Sequence, residues 1–313
     1  MAGTPYAFLK GELMPLSDAK IGVMTHAFNY GTAVFEGIRA NWNADHEQLY
    51  LFRALEHFQR LRKSAHILMM EVAYTDEQLV QITQDLLRKA DFREDMYVRP
   101  MVYKSQEVLG VRLHDVEEDV LIYASPFGAY LDIDKGIRCC TSSWRRASDT
   151  SIPVRAKVNG VYINSALAKT EAFKRGYDEA VLLNDDGHVS EGSGENIFVV
   201  MNGKLYTPPS ADNILVGITR ATVIELAEQE LGLELRETSI DRSELYIADE
   251  VFMTGTAAHV TPVLEVDERL VGGGAIGPVT AKLQKLYFDA VLGRLPKYEH
   301  WVQPLYAGQP VKA

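Results

Sequence analysis

Apolar residues near position 60 recur at the spacing of a helix. Leu55, Phe58, Leu61 and Ala65 lie three or four residues apart, so they fall on one face of a helix over residues 53–68. The residues between them are mainly charged or polar. The pattern predicts a helix that packs on a core with one side and faces water with the other.

A second helix is predicted over residues 76–90, after Thr75, whose hydroxyl suits a helix cap and which has Glu77 nearby. Elsewhere in the first half, apolar and β-branched residues run together as they do in strands, and Gly11 separates the first two runs like the turn of a hairpin. The predicted strands are residues 6–10, 12–15, 48–53, 96–103 and 119–127.

Turn signals join the strand-like runs of the second half. Asp-Asp-Gly at 185–187 connects EAVLLN with HVSEG, and Asn-Gly at 202–203 connects ENIFVVM with KLYTP. Asn-Gly between two apolar runs is a strong local signal for a β-hairpin. Two further helices are predicted over residues 219–231 and 278–292. Antiparallel hairpins interleaved with helices predict an α+β fold with antiparallel and mixed sheets, rather than a doubly wound parallel sheet.

The length of 313 residues is enough for two domains. The segment FGAYLDIDKG, between two strand signals, has the composition of a loop and marks the boundary. We expect a small N-terminal α/β domain over residues 1–127, an interdomain loop over 128–137 and a large C-terminal domain over 138–313.

Charge and composition exclude several classes of protein. The chain has 43 acidic and 32 basic residues and a net charge of −11, which disfavours a nucleic-acid or anionic-membrane partner. No apolar run approaches the ~18 residues of a membrane span. Cys139 and Cys140 are adjacent and form no disulfide framework, redox motif or zinc-binding pattern, so we assign them no function. We expect a soluble, cytoplasmic protein.

Two familiar motifs fail in their context. Residues 272–277 match G-x-G-x-x-G, but a dinucleotide-binding fingerprint also needs a βαβ unit, and here one helix follows before the chain ends. The eight histidines form no H-E-x-x-H and have no cysteine partners, so no metal site is expected. A nicotinamide-dependent dehydrogenase therefore remains only as an alternative that rests on the glycine motif.

Pyridoxal phosphate makes demands that this chain can meet. The aldehyde needs a lysine, the pyridine nitrogen needs a carboxylate, and the phosphate needs backbone amides and an arginine. A lysine, Lys157, lies in AKVNGVY, and a carboxylate, Glu191, lies in VSEGSGEN. The segments 217–220 (GITR) and 254–258 (TGTAA) offer amide groups, the first at a helix start where Thr219 can act as the cap.

Together these segments resemble a known family. The chain is similar to the fold-type IV pyridoxal-phosphate aminotransferases, and most closely to the branched-chain amino-acid aminotransferases of amino-acid biosynthesis. The resemblance runs from about residue 8 to about residue 292. The matching segments are HAFNYGTAVFEGIRA (26–40), EHFQRLRKSA (56–65), YVRP (97–100), AKVNGVY (156–162), VSEGSGENIF (189–198), GITR (217–220), LYIADEVFMTGTAAHVTPV (245–263) and GPVTAKLQ (277–284).

The resemblance implies how the cofactor would be held. Lys157 would form the Schiff base and act as the catalytic acid and base. Glu191 would face the pyridine nitrogen, and Glu195 is a nearby carboxylate that could be mistaken for it. Tyr162 would approach the ring oxygen, and Arg60 would bind the phosphate. The cofactor-binding residues would be Arg60, Lys157, Tyr162, Glu191 and the amides of Ile218, Thr219 and Thr256.

The resemblance also implies a substrate pocket. Tyr97 and two backbone amides would hold the α-carboxylate, and Arg99 with Tyr30 would meet the side-chain carboxylate of glutamate or 2-oxoglutarate. The substrate-binding residues would be Tyr30, Phe35, Tyr97, Arg99, Leu109, Val111, Tyr130, Thr256 and Ala257. Of these, Leu109 and Val111 would reach the pocket of a neighbouring subunit in a homodimer or larger homo-oligomer. At Phe127 the family often has tryptophan, which affects the size of the pocket and not the chemistry.

The implied reaction is transamination between leucine, isoleucine or valine and 2-oxoglutarate, with ping-pong kinetics. Other enzymes of the same fold remain as alternatives: a D-amino-acid aminotransferase, an (R)-amine aminotransferase or an aminodeoxychorismate lyase. The YVRP segment and the GTAA turn favour the branched-chain aminotransferase. A non-catalytic binding protein is the last alternative, and it would be colourless when purified.

Overall fold

A computed structural model describes residues 3–128 and 130–306. In this part of the chain, strands and helices are interleaved. The strands, β1 to β17, are Tyr6–Leu9, Glu12–Pro15, Ala33–Phe35, Ile38–Asn43, Gln48–Phe52, Met96–Lys104, Glu118–Pro126, Ile137–Arg145, Glu179–Leu183, Val189–Gly192, Asn196–Met201, Lys204–Thr207, Leu235–Glu237, Glu250–Gly255, His259–Val266, Arg269–Leu270 and Val302–Pro304. The α-helices, α1 to α7, are His26–Tyr30, Ala54–Ile67, Asp76–Ala90, Tyr162–Lys174, Ile218–Leu231, Glu244–Ile247 and Pro278–Val291.

The described chain divides into two compact units. Unit 1 comprises residues 3–128, 156–160 and 289–306, and unit 2 comprises residues 130–155 and 161–288. The sequence-based division gave all of 138–313 to a C-terminal domain. In the structure, the short segment around Lys157 and the chain from residue 289 group with the N-terminal residues instead.

Each unit is built on one large sheet. The sheet of unit 1 has the strand order β17-β5-β4-β6-β7-β1-β2 with β3 paired to β6, and its pairs are antiparallel. The sheet of unit 2 has the order β10-β9-β8-β15-β14-β11-β12-β13 with β16 paired to β15. It is mixed, because β8 runs parallel to β9 and β15, and β12 runs parallel to β13. The predicted α+β fold is confirmed.

The hairpins follow the turn residues of the sequence. Lys10 and Gly11 turn β1 into β2, and Asn202 and Gly203 turn β11 into β12. All four have positive φ, between 51° and 79°. A two-residue hairpin turn with positive φ at both positions has the twist that antiparallel strands need, and asparagine and glycine adopt it at low cost. The predicted hairpin around residues 185–187 is also present, between β9 and β10.

Helices α2 and α3 have the predicted positions. Phe58, Leu61 and Ala65 of α2 are fully buried. The α3 cap is a capping box, in which the Thr75 hydroxyl accepts from the Gln78 amide and the Gln78 side chain accepts from the Thr75 amide. The acidic neighbour anticipated in the sequence, Glu77, is therefore not the second member of the box.

Helix α4 covers one face of the sheet of unit 2 with small side chains. Ala168 and Ala172 pack with Cys140, Ala180 and Leu182 of β8 and β9 in one buried cluster. The opposite face of β8 contributes to the larger core cluster of the unit through its neighbouring residue, Cys139. Small residues let the helix lie close to the strands, and this fixes where the chain enters it at Tyr162.

Neither a membrane-spanning helix nor a metal-binding group of side chains is found among the described residues. None of the helices in 3–128 and 130–306 is long and apolar enough to cross a membrane. The same residues hold no group of three or more histidine, cysteine, aspartate or glutamate side chains that could bind a metal ion.

Candidate active site

Lys157 belongs to unit 1 and is fixed there through its backbone. Its carbonyl accepts from the Phe35 amide at 3.0 Å, and its amide donates to the Ser64 hydroxyl at 3.2 Å. Next to these residues, Val34 and Val158 form an isolated antiparallel bridge. The lysine Nζ lies 5.1 Å from the centroid of the Phe35 ring. The amino group of Lys157 thus lies over an apolar ring, while the backbone of this residue is tied to β3 and α2.

Tyr97 and Arg99 share one face of β6, because alternate residues of a strand point the same way. Both Nε and Nη2 of Arg99 donate to the Tyr97 hydroxyl, at 3.1 and 2.8 Å. The Arg99 guanidinium lies over the Phe35 ring, 4.3 Å from its centroid. The ring of Phe35 is therefore within reach of both Arg99 and Lys157. The predicted set of Phe35, Tyr97, Arg99 and Lys157 comes together in unit 1.

A further arginine, Arg39, was not identified from the sequence. It is almost fully buried, and it donates to the carbonyls of Phe127 and Gly128 at 2.5 and 3.0 Å. Its guanidinium also lies 4.9 Å from the centroid of the Phe127 ring. That ring is 5.3 Å from the ring of Tyr97. Arg39 therefore fixes Phe127, the position at which the resembled family often has tryptophan. Through Phe127 it also supports one side of the Tyr97 ring.

Arg60, on α2, is held by a buried carboxylate. Its Nε and Nη2 donate to the two oxygens of Glu36, each at 2.7 Å. His57, one turn earlier on the helix, makes a third contact to the same carboxylate at 2.7 Å. Burial raises the pKa of Glu36, but Arg60 and His57 outweigh burial and lower this pKa to about 2. The carboxylate is ionised across the physiological range.

Tyr30, Leu109 and Val111 lie in another part of unit 1. The Tyr30 hydroxyl accepts from the Gly110 amide at 3.0 Å, and His26 Nε2 lies 2.7 Å from the Gly110 carbonyl. Leu109 and Val111 flank this anchored glycine with 68% and 82% of their surface exposed. The contacts of Arg99 described above are with Tyr97 and Phe35, whereas Tyr30 holds the exposed 109–111 segment.

Glu191, in unit 2, lies buried in a fixed set of donors. Arg146 Nη2 is 2.8 Å from Oε1, and Oε2 accepts from the Asn196 amide group at 3.1 Å and the Leu215 backbone amide at 3.0 Å. Arg146 is itself 6% exposed. A buried arginine favours the ionised form of a neighbouring carboxyl group. Arg146 is a second residue that sequence reasoning missed.

The other candidate carboxylate, Glu195, has a different environment. It is 4% exposed and accepts from the Gly194 amide at 3.0 Å. Burial, and then the nearby charge of Glu179, raise the pKa of Glu195 to about 8. Glu179 is in turn paired with Lys169 at 2.6 Å. A carboxyl group that keeps its proton at neutral pH is poorly suited to hold a protonated pyridine nitrogen, so the charges favour Glu191.

Helix α5 begins at Ile218, and its first turn has no side-chain cap. The cap position is Gly217, which has no side chain, and Thr219 lies inside the helix and is buried. The expectation that Thr219 caps this helix is wrong. A Cβ on Gly217 would lie 2.2 Å from Asn196 Oδ1, so the backbone approaches closely here. A 14-residue helix whose N-terminal amides have no carboxylate or hydroxyl cap of their own suits an anion such as phosphate.

The remaining predicted residues lie in unit 2, at element ends or, for Tyr130, in the loop before β8. Thr256 and Ala257 form the turn between β14 and β15 and are half-buried. Tyr162 is the first residue of α4 and is also half-buried. Tyr130 is 44% exposed, with the Lys169 Nζ 5.1 Å from its ring centroid. Residues at the ends of strands and helices are where a scaffold commonly presents its functional groups.

The glycine motif at 272–277 has no room for a phosphate. The Glu250 side chain occupies the start of the helix that follows: Oε1 accepts from the Val279 amide at 2.9 Å, and Oε2 accepts from the Thr280 amide and hydroxyl at 2.7 Å. Glu250 is 6% exposed. The chain's own carboxylate takes the place that a dinucleotide phosphate would need, which removes the support for a nicotinamide-dependent enzyme.

The family model for amino-transferase class IV matches residues 33–266. The chain belongs to the class IV aminotransferase family. A probable branched-chain-amino-acid aminotransferase from Aquifex aeolicus is 54% identical over 301 residues, which is 96% of this chain and 97% of that protein.

Solved structures resemble this class IV aminotransferase over nearly its full length. The branched-chain aminotransferase of the thermophilic archaeon Thermoproteus uzoniensis, crystallised with norvaline, is 46% identical with a TM-score of 0.93 over 97% of this chain and 100% of that chain. A second branched-chain amino acid aminotransferase, from T.th. and complexed with N-(5'-phosphopyridoxyl)-L-glutamate, is 41% identical with a TM-score of 0.91 over 98% of this chain and 100% of that chain.

Each unit of this class IV aminotransferase supplies some of the groups that a phosphorylated pyridine aldehyde requires. Unit 1 supplies a lysine over an aromatic ring and an arginine with a fixed orientation. Unit 2 supplies a carboxylate paired with a buried arginine, and an uncapped helix start. These observations fit pyridoxal phosphate by the chemistry of the donors.

Proposed function

We propose that this protein transfers amino groups between the branched-chain L-amino acids leucine, isoleucine and valine and 2-oxoglutarate, with pyridoxal phosphate as cofactor. The observation that carries the proposal is the near full-length similarity, at 41% to 54% identity, to proteins named as branched-chain aminotransferases. One of these was solved with a phosphopyridoxyl derivative of glutamate. The donors found in each unit support the same cofactor.

Each cofactor-binding residue has a definite task in this proposal. When bound, pyridoxal phosphate supplies an electron sink for the electrons of the substrate Cα–H bond. Glu191, paired with Arg146, would hold the proton on the pyridine nitrogen. Arg60 and the first amides of α5 bind the phosphate, together with the Thr256 amide. Tyr162 donates to the ring oxygen.

Lys157 carries the proton transfer. Its ε-amino group would take the proton from Cα of the amino acid and later deliver a proton to C4′ of the cofactor, so one side chain acts first as base and then as acid. The two backbone bonds to Phe35 and Ser64 limit how far the lysine can move between these positions. The same steps in reverse serve 2-oxoglutarate, which gives ping-pong kinetics.

The substrate pocket must accept an apolar side chain and a carboxylate in turn. A buried carboxylate without a partner costs several kcal/mol, and so does a buried arginine without one. Arg99 meets both demands, because its charge is satisfied by the Tyr97 hydroxyl and the Phe35 ring in the absence of a carboxylate. Tyr97 and the amides of Thr256 and Ala257 hold the α-carboxylate, and Phe35, Tyr30 and Tyr130 contribute apolar contacts.

Assembly and location are part of the proposal. Leu109 and Val111 are exposed apolar residues on an anchored loop, and we place them at the pocket of a second copy in a homodimer or larger assembly. We place the reaction in the cytoplasm. The two cysteines are buried and form no disulfide, which agrees with a reducing compartment.

The test is the covalent attachment of the cofactor. Purified protein is expected to be yellow, and borohydride reduction followed by peptide mapping is expected to find the cofactor on Lys157. Lys157→Ala should abolish turnover while Arg60, Glu191 and the amides still bind pyridoxal phosphate non-covalently. Lys63→Ala, an exposed lysine of α2, is the matched control and should keep full activity. Trapping on any other lysine would refute the assignment.

A panel of chiral donors tests the substrate class. Turnover of L-leucine, L-isoleucine and L-valine with 2-oxoglutarate, without turnover of D-alanine or (R)-amines, is the expected outcome. Preference for a D-donor, or pyruvate release from aminodeoxychorismate, would replace the proposal with another activity of the same fold.

A further inference from the structure

A buried network in unit 1 connects Arg60 to the segment that contains Lys157. Glu36 is at its centre with no exposed surface. Its Oε1 accepts from Arg60 Nε at 2.7 Å, and its Oε2 accepts from Arg60 Nη2 and lies at the same distance from His57 Nδ1. This bidentate contact, with a third donor on one oxygen, restricts the guanidinium in both position and rotation.

The network cancels its own charge. Burial, above all, lowers the pKa of His57, and Arg60 and Lys157 act in the same direction, although Glu36 beside it raises this pKa. His57 Nδ1–H donates a hydrogen bond to Oε2 of the ionised Glu36. Arg60 and Glu36 carry one positive and one negative charge, which cancel. Because the negative charge of Glu36 does not attract a phosphate, any contribution of Glu36 to phosphate binding must come from the orientation that it gives to Arg60.

The same network reaches the lysine segment through the backbone. Phe35, which precedes Glu36, donates its amide to the Lys157 carbonyl at 3.0 Å, and the Glu36 amide donates to the Pro100 carbonyl at 2.8 Å. From α2, Ser64 accepts from the Lys157 amide, and it lies on the helix one turn beyond Arg60 and two turns beyond His57. Strand β3 and helix α2 therefore hold both the arginine and the lysine at fixed positions.

We propose that Glu36 is a positioning residue: with His57 it holds the Arg60 guanidinium in the orientation that receives the cofactor phosphate, in register with Lys157. The inference rests on the proposed function, since it assumes that Arg60 binds the phosphate of pyridoxal phosphate. Glu36 itself touches neither cofactor nor substrate and acts through Arg60.

The test compares pyridoxal phosphate with pyridoxal, which lacks the phosphate. Dissociation constants of both are measured by absorbance on apoprotein of wild type, Glu36→Gln and the control Glu56→Gln. Glutamine has one acceptor oxygen and turns an NH2 group toward donors of Arg60 or His57, so it displaces the guanidinium. Glu56 lies on α2, the helix that carries Arg60, is partly exposed and pairs with Arg53.

Glu36→Gln should weaken pyridoxal phosphate about 10- to 100-fold, the effect of losing a charge-assisted hydrogen bond, and leave pyridoxal almost unchanged. Glu56→Gln should alter neither. An equal loss for both ligands would show a merely structural role and overturn the proposal, and so would an unchanged or tighter binding of pyridoxal phosphate.

A second variant keeps the proposal testable if Glu36→Gln does not fold. His57→Ala leaves the Arg60–Glu36 pair in place but removes the third contact, so it should cause a smaller loss that is again confined to pyridoxal phosphate. No selective loss in His57→Ala would then overturn the proposal. Wild-type protein that binds no pyridoxal phosphate at Lys157 would instead overturn the proposed function itself.

Discussion

In the proposed function, Arg99 would serve two substrates of opposite polarity. Its guanidinium is already satisfied by a tyrosine hydroxyl and an aromatic face, both supplied by the same unit. In that proposal, an incoming carboxylate would exchange one of these contacts for a stronger one. A branched apolar side chain leaves them intact.

Arg99→Met should therefore damage the two half-reactions unequally. We expect the 2-oxoglutarate half-reaction to weaken by about 2–5 kcal/mol, the usual cost of truncating one partner of a buried charge pair, and the leucine half-reaction to change far less. Single-turnover spectroscopy measures each half separately. Arg93→Met, at an exposed arginine paired with Asp91, is the control. An equal fall in both halves would mean that Arg99 holds the α-carboxylate or the fold instead.

Glu195 should make stability depend on pH. Its pKa is about 8 in the folded protein against an ordinary 4.5, so the folded state binds a proton more tightly than the unfolded chain. Its contribution is then fully present below pH 4.5 and is lost as the pH rises toward 8, by at most about 1.4 kcal/mol per pH unit. Glu195→Gln, which mimics the protonated acid, should be more stable than wild type at about pH 8 and nearly equal at about pH 5.

Urea unfolding at the two pH values measures this difference. The exposed Glu228→Gln is the control and should follow wild type at both. A Glu195→Gln variant that loses stability equally at the lower and the higher pH would show that the carboxyl group is ionised in the folded protein.

The sequence suggested Lys157, Glu191 and Arg60 as candidate residues but not the side chains that hold them in place. Lys157, Glu191 and Arg60 lie in recognisable segments, and the structure gives each a fixed environment. Arg146, Arg39 and Glu36 were missed because their partners are distant in sequence: Arg146 acts on Glu191, 45 residues away. The pattern of a single segment does not show such pairs, since they form only when strands from different parts of the chain are brought together.

The elements followed the sequence wherever the signal was local. Asn202-Gly203 predicted its hairpin because the turn geometry itself requires those residues. Helix α4 was missed for the opposite reason. Its buried residues are Ser165, Ala168 and Ala172, which are too small to give an apolar stripe, and its helical state depends on packing against the sheet.

The start of helix α7 gives a prediction about stability. Glu250→Gln keeps one acceptor oxygen but turns an NH2 group toward the amides of Val279 or Thr280, so it should destabilise the protein by about 1–3 kcal/mol. Urea unfolding measures the loss, with the exposed Glu268→Gln as control. Unchanged stability in Glu250→Gln would mean that the helix start is satisfied by other groups.

Assembly connects the whole molecule to its activity. In the proposed oligomer, Val111 of one copy completes the pocket of another. Val111→Asp places a charge on a side chain that is 82% exposed in the single chain, so folding should be unaffected, while burial of that charge at an interface would cost several kcal/mol.

The expected result is a shift toward smaller species and a fall of more than about tenfold in activity at dilute protein. Sedimentation velocity at the assay concentration, combined with activity, measures both. Ile247→Asp, at a similarly exposed apolar residue of α6, is the control. A fully active monomer, in wild type or in Val111→Asp, would contradict the shared pocket.

Cys139 and Cys140 give the protein a pair of internal reporters. Both are fully buried, and burial raises the pKa of both thiols, so neither should react with an alkylating reagent while the fold is closed. As neighbours on one strand they point in opposite directions, Cys140 toward α4 and Cys139 into the other core cluster. The alkylation rates of the two cysteines, measured by mass spectrometry in mild denaturant, therefore report separately on local opening at the two faces of one strand. The rate at which Cys140 is modified reports how often α4, the helix that begins at Tyr162, detaches from the sheet. The rate for Cys139 reports how often the core on the opposite face opens.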